Sequence, residues 1–238
     1  MYIFLIRFFL NFFDRLYQKK IINFLKKKLK TKSIIAIDVG AHHGEFIKLL
    51  SNNFKIKIIY AFEASPINYC KLINNFNLRR KYKIYNLGLS NVNKKGFINQ
   101  VAESSSSTIN KINFNSKYFK KKKKILNIKS NKIFFKKIPI ITVRLDNFII
   151  SNNIKSIDLL KIDTEGYEYN VLRGALKILN RIKYIYFEHH YDDMIIKNYT
   201  FSNIHRILIK NNFIRVLKSK MLFRKSFEYL YCRNFLNN

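Results

Sequence analysis

The chain has 238 residues, 48% of them hydrophobic, which is enough for one well-buried core and too apolar for general disorder. A formal charge of +32, from 46 Lys and Arg against 14 Asp and Glu, would ordinarily point to nucleic acid or an anionic membrane. Asn, Ile and Phe are abundant beside Lys and Trp is absent, so the charge reads first as AT-rich genome composition, and the 14 acidic residues that run against it carry the information.

Residues 1–32 read as an N-terminal arm. Met1 to Phe13 is apolar but broken by Arg7 and Asn11 and is too short to span a bilayer. It has neither the basic lead nor the small-residue cleavage site of a signal peptide. Asp14 to Lys30 places Leu16, Tyr17, Ile21, Ile22, Leu25 and Leu29 on one face of a cationic amphipathic helix. Two readings stay open: an arm packed on the domain, or a peripheral contact with the anionic inner face of a membrane by an otherwise cytoplasmic protein.

Residues 33–238 read as one domain. Ile34–Ile37 predicts a short buried strand, Asp38 ends it, Gly40 and Gly44 bracket a turn, and Glu45–Phe54 has helical apolar spacing. The turn is neither G-x-x-x-x-G-K-[ST] nor G-x-G-x-x-G, which disfavours a triphosphate or pyrophosphate cradle; D-x-G-x-x-x-G suits a nucleoside ligand without phosphate. Lys57–Phe62 is a second strand ending at Glu63, about where dinucleotide folds place a ribose-binding acid. Pro66 opens a helix whose predicted buried face is Ile67, Cys70, Ile73 and Phe76. Cys70 and Cys232, far apart and outside any CxxC pair, predict buried apolar thiols in a reducing compartment rather than a zinc site or disulfide. Tyr82–Leu87 is a third strand.

Between Glu103 and Asp146 no acid occurs, and Lys120–Lys124 is a run of lysines flanked by Tyr118, Phe119, Phe134 and Phe135. Aromatics among basic residues can bind single-stranded nucleic acid. A solvated, mobile insertion over about 104–137 is the preferred expectation. Ile138–Leu145 then predicts a strand and Asp146–Ile150 a short helix. Ile157–Asp163 is an apolar strand ending in an acid, followed by a turn at Thr164–Gly166 and a helix with Val171, Leu172, Ala175, Leu176 and Leu179 inward. Gly174 interrupts that helix at about 1 kcal/mol, a cost that close packing would justify. Lys183–Phe187 is a further strand ending in Glu188-His189-His190. A helix over Ser202–Asn211 and two strands, Phe213–Leu217 and Phe227–Cys232, complete an α/β pattern. Acids at the ends of several strands mark the edge where a doubly wound sheet binds ligands.

Asp38–Glu45 (D-V-G-A-H-H-G-E), Phe62–Pro66 (F-E-A-S-P), Asn86–Ser90 (N-L-G-L-S), Leu145-Asp146, Ile157–Glu168 (I-D-L-L-K-I-D-T-E-G-Y-E), Val171–Ala175 and Phe187–His189 together resemble the FkbM family of S-adenosylmethionine-dependent methyltransferases. The resemblance implies a class I methyltransferase fold, Rossmann-like and doubly wound, with a mostly parallel seven-stranded sheet and an antiparallel C-terminal strand. It also implies O-methylation of hydroxyls, often on sugars of glycans or glycolipids. The sequence departs at His42-His43, where the family commonly has Asn and a further residue.

On this reading S-adenosylmethionine is the cofactor. Gly40 and Gly44 admit its methionine part, Asp38 supports the loop and Glu63 holds the ribose. Asp163, Glu165, Glu188 and His189 are the candidates beside the methyl group, with His189 or His190 as a base titrating near neutrality. A divalent cation on Asp163, Glu165 and Glu188 is a less favoured option. Lys161 is expected to reach outward from its strand and Glu168 to sit on a solvated helix face. A nucleic-acid methyltransferase and a non-catalytic binding protein remain the rival functions, the first favoured by charge alone.

Overall fold

The protein is described from a computed structural model that covers residues 18–29, 33–76, 80–101, 106–125, 135–221 and 225–234. The predicted apolar stretch Met1–Phe13 lies outside these residues, as do Ser104 and Ser105 of the polar loop and the aromatic Phe134. The strands are β1 Ile34–Val39, β2 Ile56–Phe62, β3 Tyr82–Tyr85, β4 Gly88–Leu89, β5 Lys94–Val101, β6 Phe135–Val143, β7 Ile157–Ile162, β8 Ile182–His190, β9 Phe213–Lys220 and β10 Ser226–Arg233. The helices are α1 (18–28), α2 Glu45–Asn53, α3 Pro66–Phe76, α4 Lys117–Ile125, α5 Leu145–Ser151, α6 Glu168–Arg173 and α7 Phe201–Lys210, with a 3-10 helix over Leu176–Arg181.

Branched apolar runs such as Ile34–Val39 and Ile157–Ile162 are covered on both faces, as parallel strands require. They assemble a seven-stranded sheet in the order β3-β2-β1-β7-β8-β10-β9. β3, β2, β1, β7 and β8 run parallel, and β10 inserts antiparallel between β8 and β9. This is the doubly wound, mostly parallel seven-stranded sheet that the resemblance implies. The chain reverses its winding direction between β1 and β7, so the loops after these two strands open a crevice at one sheet edge.

Two cores flank the sheet. On one face α5, α6, the 3-10 helix and α7 bury Ile149, Val171, Leu179, Ile204 and Leu208 against β7 and β8. On the other, Ile21, Ile22, Leu25 and Leu29 of the arm join Phe46, Ile47 and Leu50 of α2. The apolar stripe of α1 is therefore spent on the domain. Among the described residues no helix is long and apolar enough to cross a membrane.

Several local expectations shift. α3 turns Asn68 and Leu72 inward, leaving Ile67 and Cys70 exposed, and Cys232 is only half-buried. After Gly174 the chain tightens into a 3-10 helix, whose three residues per turn rotate Leu176 out to 43% exposure and bring Ile178 in. β5, too lysine-rich to be predicted, pairs antiparallel with β6, and β4 joins them in a separate three-stranded sheet. The described part of the basic insertion is packed on the domain: Phe119 of α4 packs with Val101, Ile112, Met194 and Ile195.

Gly174 does have the close contact its sequence cost implied. A Cβ there would stand 2.0 Å from the Ser90 carbonyl oxygen, and the Gly174 carbonyl accepts the Asp146 amide at 2.8 Å. Gly174→Ala is expected to destabilise the protein by about 1–3 kcal/mol in urea melts, because backbone must move to relieve the overlap.

Candidate active site

β1 and β7 are neighbours in register, with Asp38 opposite Lys161. The Lys161 side chain does not reach outward. It lies at the carboxyl edge with Nζ 3.1 Å from Asp38 Oδ1 and 3.5 Å from Asp163 Oδ2, and it donates to the Gly40 carbonyl at 3.2 Å. Phe46 covers it from α2, with the ammonium 5.4 Å from the ring centre. The correction has a plain cause: the place a lysine head would leave the sheet is closed by α2, and two carboxylates and a carbonyl replace its water. Burial alone would lower the ammonium's pKa, but Asp38 and Asp163 raise it, so Lys161 stays charged.

The turn after β1 has positive φ at Gly40, His42 and Gly44. A Cβ on Gly40 would meet the Asp163 carbonyl oxygen at 1.9 Å, so this glycine lets the turn sit against the end of β7. Gly44 faces elsewhere. Its added Cβ would strike the Phe76 ring of α3 at 2.1 Å, so it is a packing glycine for α3 and does not line the cleft described below.

Glu63 is buried at the end of β2. Its Oε2 accepts the His42 amide at 2.8 Å and its Oε1 the Ser65 amide at 2.9 Å. Burial pushes its carboxyl pKa up, opposed by these amides. The carboxylate therefore holds the glycine turn as well as facing the cleft. Asn86 closes the neighbouring strand end by donating to the Glu63 and Ala64 carbonyls at 2.9 and 3.2 Å.

The turn after β7 is pinned by a residue the sequence reading left on a solvated surface. Glu168 is fully buried. Its Oε1 accepts Thr164 N, Thr164 Oγ1 and Gly166 N at 3.2, 3.1 and 2.9 Å, and its Oε2 accepts the Tyr199 hydroxyl at 2.7 Å. This bonding holds Glu165 and Gly166 at φ 49° and 88°. The insertion locks the turn from outside: Thr108 Oγ1 donates to the Glu165 carbonyl at 2.7 Å and Asn110 Nδ2 to the Gly166 carbonyl at 2.5 Å.

Between these turns opens a cleft that is partly open to solvent. Val39, Gly40, His42, Phe62, Glu63, Asn68, Leu87–Leu89, Ile98, Ser107, Ile109 and Asp163–Glu165 line it. Of the predicted residues, Gly40, Glu63, Asp163 and Glu165 meet there. Asp38 lies beneath, under Lys161.

Glu188 and His189 are not among its lining residues. Alternation along β8 separates them. Glu188 and His190 share one face, and His190 Nε2 lies 3.5 Å from both Glu165 Oε2 and Glu188 Oε1, with Nδ1 3.7 Å from Asp192 Oδ2. Burial would lower the His190 pKa, yet Glu165 and Glu188 raise it to about 10, so it is an imidazolium and not a base. His189 points to the other face, against Tyr191, Tyr199 and Phe201, where burial and then Lys197 and His190 push its pKa down to about 3. The idea that one histidine could replace the other therefore fails: they face opposite ways and are held in opposite charge states. Nor do Asp163, Glu165 and Glu188 converge on a common point for a cation. Asp163 turns to Lys161, while Glu165 and Glu188 flank His190.

The sequence reading gave Lys161 and Glu168 to the surface, took His190 for a possible base and passed over Glu228. Glu228 is buried on β10 opposite Glu188 and accepts a hydrogen bond from the Tyr186 hydroxyl. The usable signal was a charged residue inside an otherwise apolar strand, which is stable only with a partner.

The methyltransferase FkbM domain matches residues 38–215, most of the chain and both turns of the cleft. The chain belongs to the FkbM methyltransferase family. The fold of this FkbM domain is similar to methyltransferase FkbM from Methylobacillus flagellatus KT, with TM-score 0.52 and 15% identity over 84% of this chain and 44% of that one. The chain thus spans less than half the length of that relative. It is also similar to magnesium protoporphyrin IX methyltransferase from Synechocystis PCC 6803 with bound S-adenosylmethionine, at TM-score 0.50 and 8% identity over 95% of this chain and 84% of that one. A Streptococcus agalactiae protein of the NADB-Rossmann superfamily gives TM-score 0.51 and 13% identity over 93% and 69% of the two chains. No curated protein sequence matches.

Two predictions follow from the buried charges. Lys161→Met leaves Asp38 buried without its cation and is expected to cost about 3–5 kcal/mol in urea unfolding, part of it regained in Lys161→Met/Asp38→Asn. The paired histidines should shape stability against pH. His190 has a raised folded pKa, so its contribution is complete below the ordinary value of 6.5 and is lost as pH rises to about 10. His189 has a lowered one, so stability is lost as pH falls from 6.5 toward about 3. Calorimetric Tm against pH should show His190→Gln flattening the alkaline limb and His189→Phe the acid limb.

Proposed function

We propose that this FkbM domain transfers a methyl group from S-adenosylmethionine to a hydroxyl of a neutral, sugar-type acceptor. The cleft fits that cofactor on its own geometry. It lies at the crevice of a doubly wound sheet, offers apolar walls at Phe62, Leu89 and Ile109, and places a carboxylate at the end of β2. Glu63 would accept hydrogen bonds from the ribose hydroxyls, and Gly40, by letting its turn sit against the Asp163 carbonyl, would shape the end of the cleft that takes the amino-acid part. When bound, the cofactor supplies an electrophilic methyl group on a sulfonium.

The observation that carries the acceptor class is the sign of charge beside the cleft. In a chain of net charge +32 with only 14 acids, Asp163, Glu165, Glu188 and Asp192 gather at the ends of β7 and β8. Carboxylates accept hydrogen bonds from sugar hydroxyls and repel phosphates, so this wall suits a polyol better than a polyanion. Asp163 and Glu165 line the cleft and would orient the attacking hydroxyl, and one of them can take its proton as the new C–O bond forms. His190 stands between Glu165 and Glu188, 3.5 Å from each.

Three readouts test the reading. Glu63→Ala should weaken S-adenosylhomocysteine binding by about 1.5–3 kcal/mol in calorimetry, as expected for a lost hydrogen bond to a charged group. Asp163→Asn and Glu165→Gln should each lower turnover at least tenfold with a smaller change in cofactor affinity, the pattern of groups that act on the acceptor. Label from S-adenosylmethionine should appear in cell-surface glycans. Label appearing in RNA instead, with transfer falling steeply as salt rises, would replace this proposal with a nucleic-acid acceptor drawn in by the exposed Lys120, Lys121 and Lys124.

A further inference from the structure

The turn after β1 carries a second set of donors, at the mouth of the cleft rather than on its floor. His42 and His43, the departure from the common FkbM pattern, stand side by side with ring centres 3.7 Å apart and planes 23° apart. Glu45, at the start of α2, faces them: Oε1 is 3.1 Å from His42 Nδ1 and 3.9 Å from His43 Nδ1. One donor atom from each of the three residues can be chosen so that all lie within 4.8 Å of one another.

These separations have a chemical meaning. Ligands about 2.0–2.1 Å from a tetrahedral zinc ion stand about 3.3–3.5 Å apart. The two Nδ1–Oε1 distances bracket that value, and the shell closes when the two stacked rings turn so that their in-plane lone pairs converge. The backbone needs no rearrangement because it is already held. Glu63 accepts the His42 amide, Glu45 Oε2 accepts the His43 amide at 3.2 Å, and Asn75 donates to the His43 carbonyl at 3.0 Å. Both histidine side chains are partly exposed, at 24% and 27%, and that of Glu45 at 65%, which gives an ion a path in and leaves water for the fourth position.

We infer that His42, His43 and Glu45 form a binding site for a borderline divalent transition metal, of which Zn2+ is the type. Two imidazoles and one carboxylate select Zn2+, Co2+ or Ni2+ over Mg2+ and Ca2+, which take oxygen shells. The site is distinct from the carboxylate wall. It is built on the loop whose amide rests on Glu63, and His42 also lines the cleft.

The test uses the full chain without a histidine tag. Titration with Co2+ should saturate at one equivalent, with the visible absorption of four-coordinate cobalt, and Zn2+ should displace it. His43→Ala and Glu45→Ala should each weaken binding at least tenfold, while His205→Ala leaves it unchanged. Paramagnetic broadening by Co2+ in the unmodified protein locates the ion without any variant and should strike the His42 and His43 imidazoles. Absence of saturable one-equivalent binding, unchanged affinity in folded His43→Ala and Glu45→Ala, or broadening centred on His189 and His190 would each overturn the site.

Discussion

The arrangement of both turns depends on one buried cation. Lys161 sits inside β7, where its neighbours are aliphatic, and spends its charge on Asp38, Asp163 and the Gly40 carbonyl. A lone charge in that position would cost several kcal/mol, so each partner is fixed by the need to satisfy it. Asp38 stands at the end of β1, just before the glycine turn, and Asp163 opens the turn that carries Glu165. The same ammonium therefore sets the distance between the proposed cofactor and acceptor sides of the cleft.

Each turn has a second brace of the same kind. Glu63 collects the amides of His42 and Ser65, and Glu168 collects those of Thr164 and Gly166. Backbone amides aimed at a buried carboxylate hold a loop open, because its amides are already satisfied and do not collapse on one another. The insertion adds Thr108 and Asn110 from outside. What composition presents as a basic, mobile stretch gives, in its described part, Ser107 and Ile109 to the cleft, turns most of its lysines to solvent and buries Phe119. Charge is thus segregated: most lysines cover the surface, while a large share of the few acids gathers at one sheet edge. Net charge does not describe the cleft, because a ligand there meets the local sign and not the sum.

The residue pattern determined the alternation of strands and helices and the edge where chemistry belongs, and the resemblance implied the mostly parallel sheet. Runs such as Ile34–Val39 and Ile157–Ile162 can only be strands buried on both faces, and Asp38, Glu63 and Asp163 mark their carboxyl ends by position. Periodicity of two or 3.6 is a local property, and it survives whatever packs against it. Tertiary structure decided everything that depends on a partner. Gly40 and Gly44 look equivalent in the chain, yet one faces the Asp163 carbonyl and the other the Phe76 ring. His189 and His190 are chemically identical neighbours, but strand alternation gives one an aromatic pocket and the other three carboxylates, and their proton affinities part accordingly. Glu168 and Lys161 read as solvent-facing because a sequence names a charge without naming its counter-charge. The energy of a buried charge lies almost wholly in groups distant in sequence, and only the fold brings them within a few ångströms.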